Sequence, residues 1–454
     1  MIGGTAHVQN VESGIGAVCI GAAALLPTWL WITGRVKGLP LFPVFSTTYV
    51  YAFAFPLLYE HPIVAMFQPD VQLIGAFTVT GFLLLGTAVW YQVGRRAPKP
   101  IRRCLVLNAA NADLFLMVAL GAGAAFNMAG SGGWLNLQPG LNSIIRASAL
   151  ALQALAAFAL SFRLGTGELS PPKKVVFRFL ISLLMLSTLP GLLLVNAMSI
   201  CVIAAFGYTL GAHRFPWRIG LAAMLLFAFL HAGKGAMREI HWKVVDEDPT
   251  FQPADYPAFI SQWAQISATN WFGGETESEE HQSLIQRASL MQLLLYVQTM
   301  TGDAVPYLDG QTYAILPTLL VPRIFTPEKI ASHEGTYLLN IHYGFQTRED
   351  TARTTIGFGL LNEAYANFGL VGVGGLAVVL GAYYALVARW ARGSPVLSFR
   401  SLFAAIVASY SFQAEYASGV YVAALFQSTI ALCAVAVLFM RRGDCSGDGR
   451  SVLE

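Results

Sequence analysis

The sequence predicts an all-α protein: a polytopic bundle of about eleven membrane-spanning helices with one large, partly helical exterior loop. Three observations carry that prediction. The 454-residue chain is 55% hydrophobic and only 12% charged, with a mean hydropathy of +0.56, whereas soluble chains carry about 25% charged residues. Its apolar residues gather into runs of about 20, the length that crosses about 30 Å of hydrocarbon. Its lysines and arginines fall at every second boundary between those runs, as the bias of basic residues toward the cytoplasmic side of a membrane requires.

The runs are 14–33, 39–59, 72–94, 104–127, 143–162, 176–195, 196–212, 217–236, 368–388, 399–416 and 419–440. The sixth and seventh form one apolar stretch, 176–212, broken around Pro190-Gly191 and Asn196-Ala197-Met198-Ser199. Residues 1–13 hold Glu12 but no Lys or Arg, so the first run lacks the basic flank of a cleaved signal peptide and reads as a retained span. One set of boundaries carries Arg35 and Lys37, Arg95 to Arg103, Arg163 to Arg178, Arg214 and Arg218, Arg389 to Arg400, and Arg441 to Arg450. The intervening short loops 60–70, 128–140 and 415–418 have no Lys or Arg. The amino terminus and the long segment 236–365 are then outside, and the carboxy terminus inside. The organisation that follows is a first bundle over 1–236, an exterior loop over 237–367, further spans over 368–440 and a cytoplasmic tail over 441–454.

Several classes drop out. The net charge of +3 is distributed by membrane side rather than gathered into a patch, which excludes nucleic acid as a partner. The five cysteines, Cys19, Cys104, Cys201, Cys433 and Cys445, lie in or beside apolar segments or in the tail. That spacing supports neither a disulfide framework nor a cysteine metal site.

The exterior loop is too long for a simple connection. Thr276 with Glu279 fits a capping box, and Leu284, Ala288, Met291 and Leu295 follow at helical spacing, predicting a helix over 277–300 that carries Arg287. The run 313–325 is apolar but too short to cross, and it ends in Pro322-Arg323 and Pro327. It reads as an interfacial or re-entrant segment that brings Arg323 to headgroup depth.

Polar chemistry concentrates in 283–375. There is no Gly-rich phosphate loop, no His-Glu-x-x-His and no Gly-x-Ser-x-Gly, so no soluble-enzyme motif applies. Asp246-Glu247-Asp248 resembles a metal-holding acidic pair, but an acidic run in an exterior loop is more often a solvated face. No metal and no cofactor is expected. Arg287, Arg323, Lys329, Arg348 and Arg353 are the informative cations, because guanidinium forks hold phosphate oxygens bidentately and stabilise a pyrophosphate as it leaves. The alternative is ordinary loop charges paired with nearby acids. His333, Glu334, His342 and Glu363 are the candidate proton acceptors for a sugar hydroxyl; Glu363 with Asn362 has the alternative role of fixing the loop to the bundle. Ionisable residues within or at the ends of spans form a second group. Asn108, Asn111 and Asp113 lie on the fourth span, Arg146 begins the fifth, and His231, Lys234 and Arg238 mark the outer end of the eighth. Arg146, Lys234 and Arg238 are placed where an anionic headgroup would sit, with Asp113 as counter-ion for one of them.

The bundle, the exterior loop near the carboxy end, Pro322-Arg323 followed by Pro327-Glu328-Lys329, and Asn362-Glu363-Ala364-Tyr365-Ala366-Asn367-Phe368-Gly369 entering the next span together resemble the O-antigen and exopolysaccharide repeat-unit polymerases. These Wzy-type enzymes are distantly similar to O-antigen ligases. The chain departs from the pattern near Asn196, where many relatives carry Gly-x-Arg-Gly; this leaves Arg146 or Arg238 to supply that arginine. The resemblance implies a GT-C-like membrane glycosyltransferase working by inverting, metal-independent transfer at the outer face of the bacterial inner membrane. Its donor would be the growing glycan on undecaprenyl pyrophosphate and its acceptor one lipid-linked repeat unit. A chain-length regulator and a flippase of the same pathway would be its partners, and its activity would survive chelation.

Two rival readings share the composition. An O-antigen ligase uses the same donor but hands the glycan to a different acceptor, which the length of the product distinguishes. A flippase or transporter usually shows internal repeats and midplane sites, whereas here the polar residues concentrate in an exterior loop.

Overall fold

The computed structural model describes residues 10–59, 61–98, 103–107, 109–135, 139–192, 194–242, 250–272, 289–321, 326, 329–353 and 355–444. Among them the chain is a helical, multi-pass membrane protein. Nine helices are long and apolar enough to span a bilayer: Val11–Ile32, Leu41–Leu58, Pro69–Gly94, Ala112–Ser131, Ser148–Gly165, Pro171–Gly191, Trp217–His241, Leu360–Ala391 and Ser418–Phe439. The two other expected runs are helices as well, Leu194–Ala212 and Phe399–Ser411, but too short or too weakly apolar to count as spans by themselves. Large apolar side chains stay exposed around the bundle, Val371, Val437 and Leu438 among them, as helices facing hydrocarbon require.

One end of the bundle is basic. Arg103–Leu107 pairs antiparallel with Met440–Asp444, setting Arg103 beside the strand that carries Arg441 and Arg442. Arg35, Arg95, Arg218 and Arg400 lie over the rings of Trp29, Tyr91, Trp217 and Trp390 at 4.6–5.6 Å. Such aromatic residues mark membrane interfaces. Asp113 belongs to this end: buried, it pairs with Arg163 at 2.9 Å and Lys173 at 2.8 Å. This corrects the expectation that it serves Arg146, Lys234 or Arg238. Its pairing with Arg163 sets it at the end of the Pro139–Gly165 helix opposite to Arg146. Cys104 is disulfide-bonded, although the cysteine spacing supported no disulfide framework, while Cys19, Cys201 and Cys433 are free. The strand pairing lays the Cys104 segment along the chain's carboxy-terminal end, a proximity that cysteine spacing does not reveal.

The other end carries the segments between 250 and 359, docked through breaks in the helices. The second span contains a π-helical turn, Val50–Ala54, a register change that frees backbone carbonyls, and Ala52 O accepts from Leu290 N–H at 2.9 Å. From there Met291–Met300 packs against Pro69–Gly94 and Leu360–Ala391; the remainder of the expected helix over 277–300, Arg287 included, lies outside the described residues. The run expected over 313–325 becomes two short helices, Gln311–Ala314 and Leu316–Leu320, because Pro317 restarts the helix and Val321 turns extended. Both rest on the last helix, Ser418–Phe439. The uncharged helix Tyr256–Phe272 descends along Trp217–Trp242, with Trp263 donating to Leu230 O and Asn270 to Ala232 O.

Candidate functional site

The motif opening the Leu360–Ala391 helix is a docking device. Asn362, Glu363 and Asn367 are fully buried, and groups so placed must find partners. Asn362 donates to Leu290 O at 3.1 Å. Glu363 accepts from Ser418 N–H and Ser418 Oγ–H, each at 2.6 Å, and from the Thr312 hydroxyl. Asn367 donates to Thr312 Oγ1 and accepts from Gly310 N–H. Three segments of this end, around 290, 310 and 418, are thereby pinned to one helix. The helix then breaks at Phe368-Gly369, where Gly369 takes φ +59° and ψ −144°, a conformation open only to glycine.

The loop joining Phe399–Ser411 to Ser418–Phe439 is the hub of this end. Phe412 O accepts from Tyr51 Oη–H, Gln413 donates to Ser199 Oγ, and Glu415 O accepts from Gly359 N–H. Lys234 acts electrostatically on Glu415, and Arg146 on Tyr416 and His333. Arg146 and Lys234, widely separated in sequence, are thus brought to the same loop. Protein packed around His333, then the positive charge of Arg146, holds its imidazole below the usual histidine range. Burial pushes the Glu415 carboxyl above the usual range, partly offset by Lys234.

The remaining sequence-derived candidates fall into distinct situations. Glu334 holds Arg348 through paired hydrogen bonds of 2.8 and 3.1 Å, and that guanidinium also lies over the Tyr337 ring. His342 Nε2 meets Pro306 O at 2.9 Å. Lys329 Nζ donates to the carbonyls of Leu319 and Val321, capping the short helix that precedes it. Arg238 donates to Leu192 O at 3.1 Å, at the left-handed residue that breaks the sixth expected run from the seventh. Arg287 and Arg323 lie outside the described residues, as does the Asp246-Glu247-Asp248 run; Arg353 closes the short helix Arg348–Arg353. Among the described residues no three His, Cys, Asp or Glu side chains converge as a metal-ligand set.

A groove of about 790 Å³ opens onto the hub. Met198 and Phe206 on Leu194–Ala212, Met224 and Phe227 on Trp217–Trp242, and Ala405 and Ala408 on Phe399–Ser411 form its apolar walls. It reaches Pro40 and Phe215 toward the basic end, while His231, Lys234 and Glu415 close the opposite end. Leu194 and Thr209 both line it, and the α-helix between them rises about 22 Å, most of a bilayer's hydrocarbon depth. Met198, Val202 and Met224 are exposed, so the groove is open along its length. An apolar trough with charge at one end fits a lipid with a polar head.

Sequence reasoning missed Glu415, Tyr416 and the groove. The available signal for Glu415 was its position as a lone acid in a very short loop between two apolar runs. No family model, no curated protein and no solved structure matches the chain. The resemblance to repeat-unit polymerases therefore rests on the span-and-loop layout and on the motif residues.

Proposed function

We propose that this protein is a membrane glycosyltransferase that polymerises oligosaccharide repeat units carried on undecaprenyl pyrophosphate, at the outer face of the bacterial inner membrane. The observation that carries the reading is the groove: a lipid-length apolar trough whose charged end lies at the same end of the bundle as the docked exterior loop. In this reading the carrier chain of the donor lies along Met198, Phe206 and Met224. Its pyrophosphate lies toward Lys234, His231 and Arg146, where the lowered dielectric strengthens the hold of fixed cations on a leaving group. Arg323, Arg287 and Arg353 of the exterior loop would complete that hold, and the acceptor sugar approaches from the His333 side. The basic opposite end faces the cytoplasm under the positive-inside rule.

The groove assignment is tested with a photoreactive polyprenyl pyrophosphate in nanodiscs. Crosslinks are expected on Met198, Met224 or Phe227, and they are expected to disappear when Ala223→Trp fills the trough. Labelling that ignores Ala223→Trp would remove the groove from lipid binding.

A further inference from the structure

We infer that Glu415 is the group that takes the proton from the acceptor hydroxyl, an assignment that rests on the polymerase reading. The first argument is position. Glu415 is the acid that lines the charged end of the groove, together with Lys234 and His231. A donor whose pyrophosphate is held at Lys234 carries its anomeric carbon one bond beyond the phosphate oxygen, at the rim of the trough. Glu334 is tied to Arg348, Glu363 to Ser418 and Thr312, and His342 to Pro306 O. None of the three lines the groove, nor does His333.

The second argument is how the carboxylate is held. Its loop is clamped from several sides, by Tyr51, Ser199 and Gly359. The backbone of Gly357 lies so close that a Cβ there would stand 2.7 Å from Glu415 Cβ and 3.3 Å from Oε2. Glycine at 357 thus leaves room for the side chain where it stands, and Glu415 itself is exposed, open to an incoming hydroxyl. The charged and titratable groups facing it are Lys234 and His231 from Trp217–Trp242, Tyr51 from the second span, and Tyr416 on its own loop. The crowding that raises its proton affinity moves it toward the operating pH, where a general base works best.

The step balances as follows. The acceptor hydroxyl oxygen forms a bond to the anomeric carbon while the bond from that carbon to the pyrophosphate oxygen breaks. The pyrophosphate leaves with the electron pair, and the hydroxyl proton passes to Glu415 Oε and then to water. No oxidant, reductant or metal enters.

The test is the pH dependence of kcat for polymer formation by purified protein in liposomes with lipid-linked repeat units. The wild-type rate is expected to rise with pH along an acid limb of unit slope. Glu415→Gln, which keeps the shape but cannot take the proton, should lose roughly 10²–10⁴-fold in kcat with KM for the donor within about threefold, and the limb should vanish. Glu415→Asp should restore part of the rate together with the limb. Gly357→Ala, which pushes on the carboxylate, should lower kcat without abolishing the limb. A wild-type-like kcat in Glu415→Gln, or a limb that survives there and vanishes in His333→Gln, would overturn the assignment. A failed Glu415→Asp rescue in a normally melting protein would do the same. A wild type that makes no polymer removes the underlying reading, and the assignment with it.

Discussion

Glu363 separates a docking role from a catalytic one, and the structure fixes the magnitudes. Its carboxylate is fully buried and accepts two hydrogen bonds of 2.6 Å from Ser418, with a third from Thr312. A buried donor left without a partner costs about 1–3 kcal/mol. Glu363→Ala orphans the Ser418 N–H and hydroxyl at about that cost each, and the melting temperature in detergent falls by several degrees. Glu363→Gln behaves differently. The amide oxygen still accepts from Ser418 N–H, and the amide nitrogen donates to Ser418 Oγ, which turns to accept. The cost is about 1 kcal/mol, and the segments around 290, 310 and 418 stay docked. The expected result is a Gln variant that melts near the wild type and retains most polymer formation, beside an Ala variant that is destabilised and weak. A Gln variant that folds normally but makes no polymer would put Glu363 in the chemistry. An Ala variant as stable as the wild type would refute the docking argument.

Three further outcomes are expected. A reporter active only outside the cytoplasm should be active when fused after Gly273 and inactive after Arg103, Lys174 or Arg442; activity after Lys174 contradicts the layout. Arg146→Gln should raise the His333 pKa toward the ordinary imidazole value, because a positive charge that disfavours protonation is removed; histidine hydrogen–deuterium exchange read by mass spectrometry measures it, and an unchanged value removes the coupling. Arg323→Lys, which keeps the charge but loses the bidentate fork, should lower polymer formation roughly 10²-fold at matched membrane abundance, and normal polymer from it would shift the pyrophosphate contacts to Arg287 and Arg353.

The helical architecture was legible because apolar runs of bilayer length have few other fates: each of the eleven expected runs holds a helix, nine of them long and apolar enough to span, although 104–107 at the head of the fourth run is strand. What the hydropathy missed has local causes. Phe399–Ser411 is only 13 residues, because Phe412 turns out of the helix into the hub. The interfacial run after Tyr313 broke in two at Pro317. Asp113 was assigned to the wrong end because its place on the fourth run gave no partner; only the fold shows Arg163 and Lys173 against it.

Site legibility follows the same division. Residue type flagged Arg146, Lys234, Glu363 and His333, since ionisable groups near apolar segments stand out. What each one touches depends on helix packing. The same packing decides that Glu363 is consumed by Ser418 while Glu415 faces the trough. The groove itself is a gap left between three helices, and one-dimensional periodicity carries no record of a gap.

The central claim is tested most directly by supplying purified protein in liposomes with undecaprenyl-pyrophosphate-linked repeat units and sizing the lipid-linked products. The account predicts a ladder of glycans that lengthens with time and releases undecaprenyl pyrophosphate at each step. A single transferred product, or movement of the lipid across the bilayer with no new glycosidic bond, would contradict it.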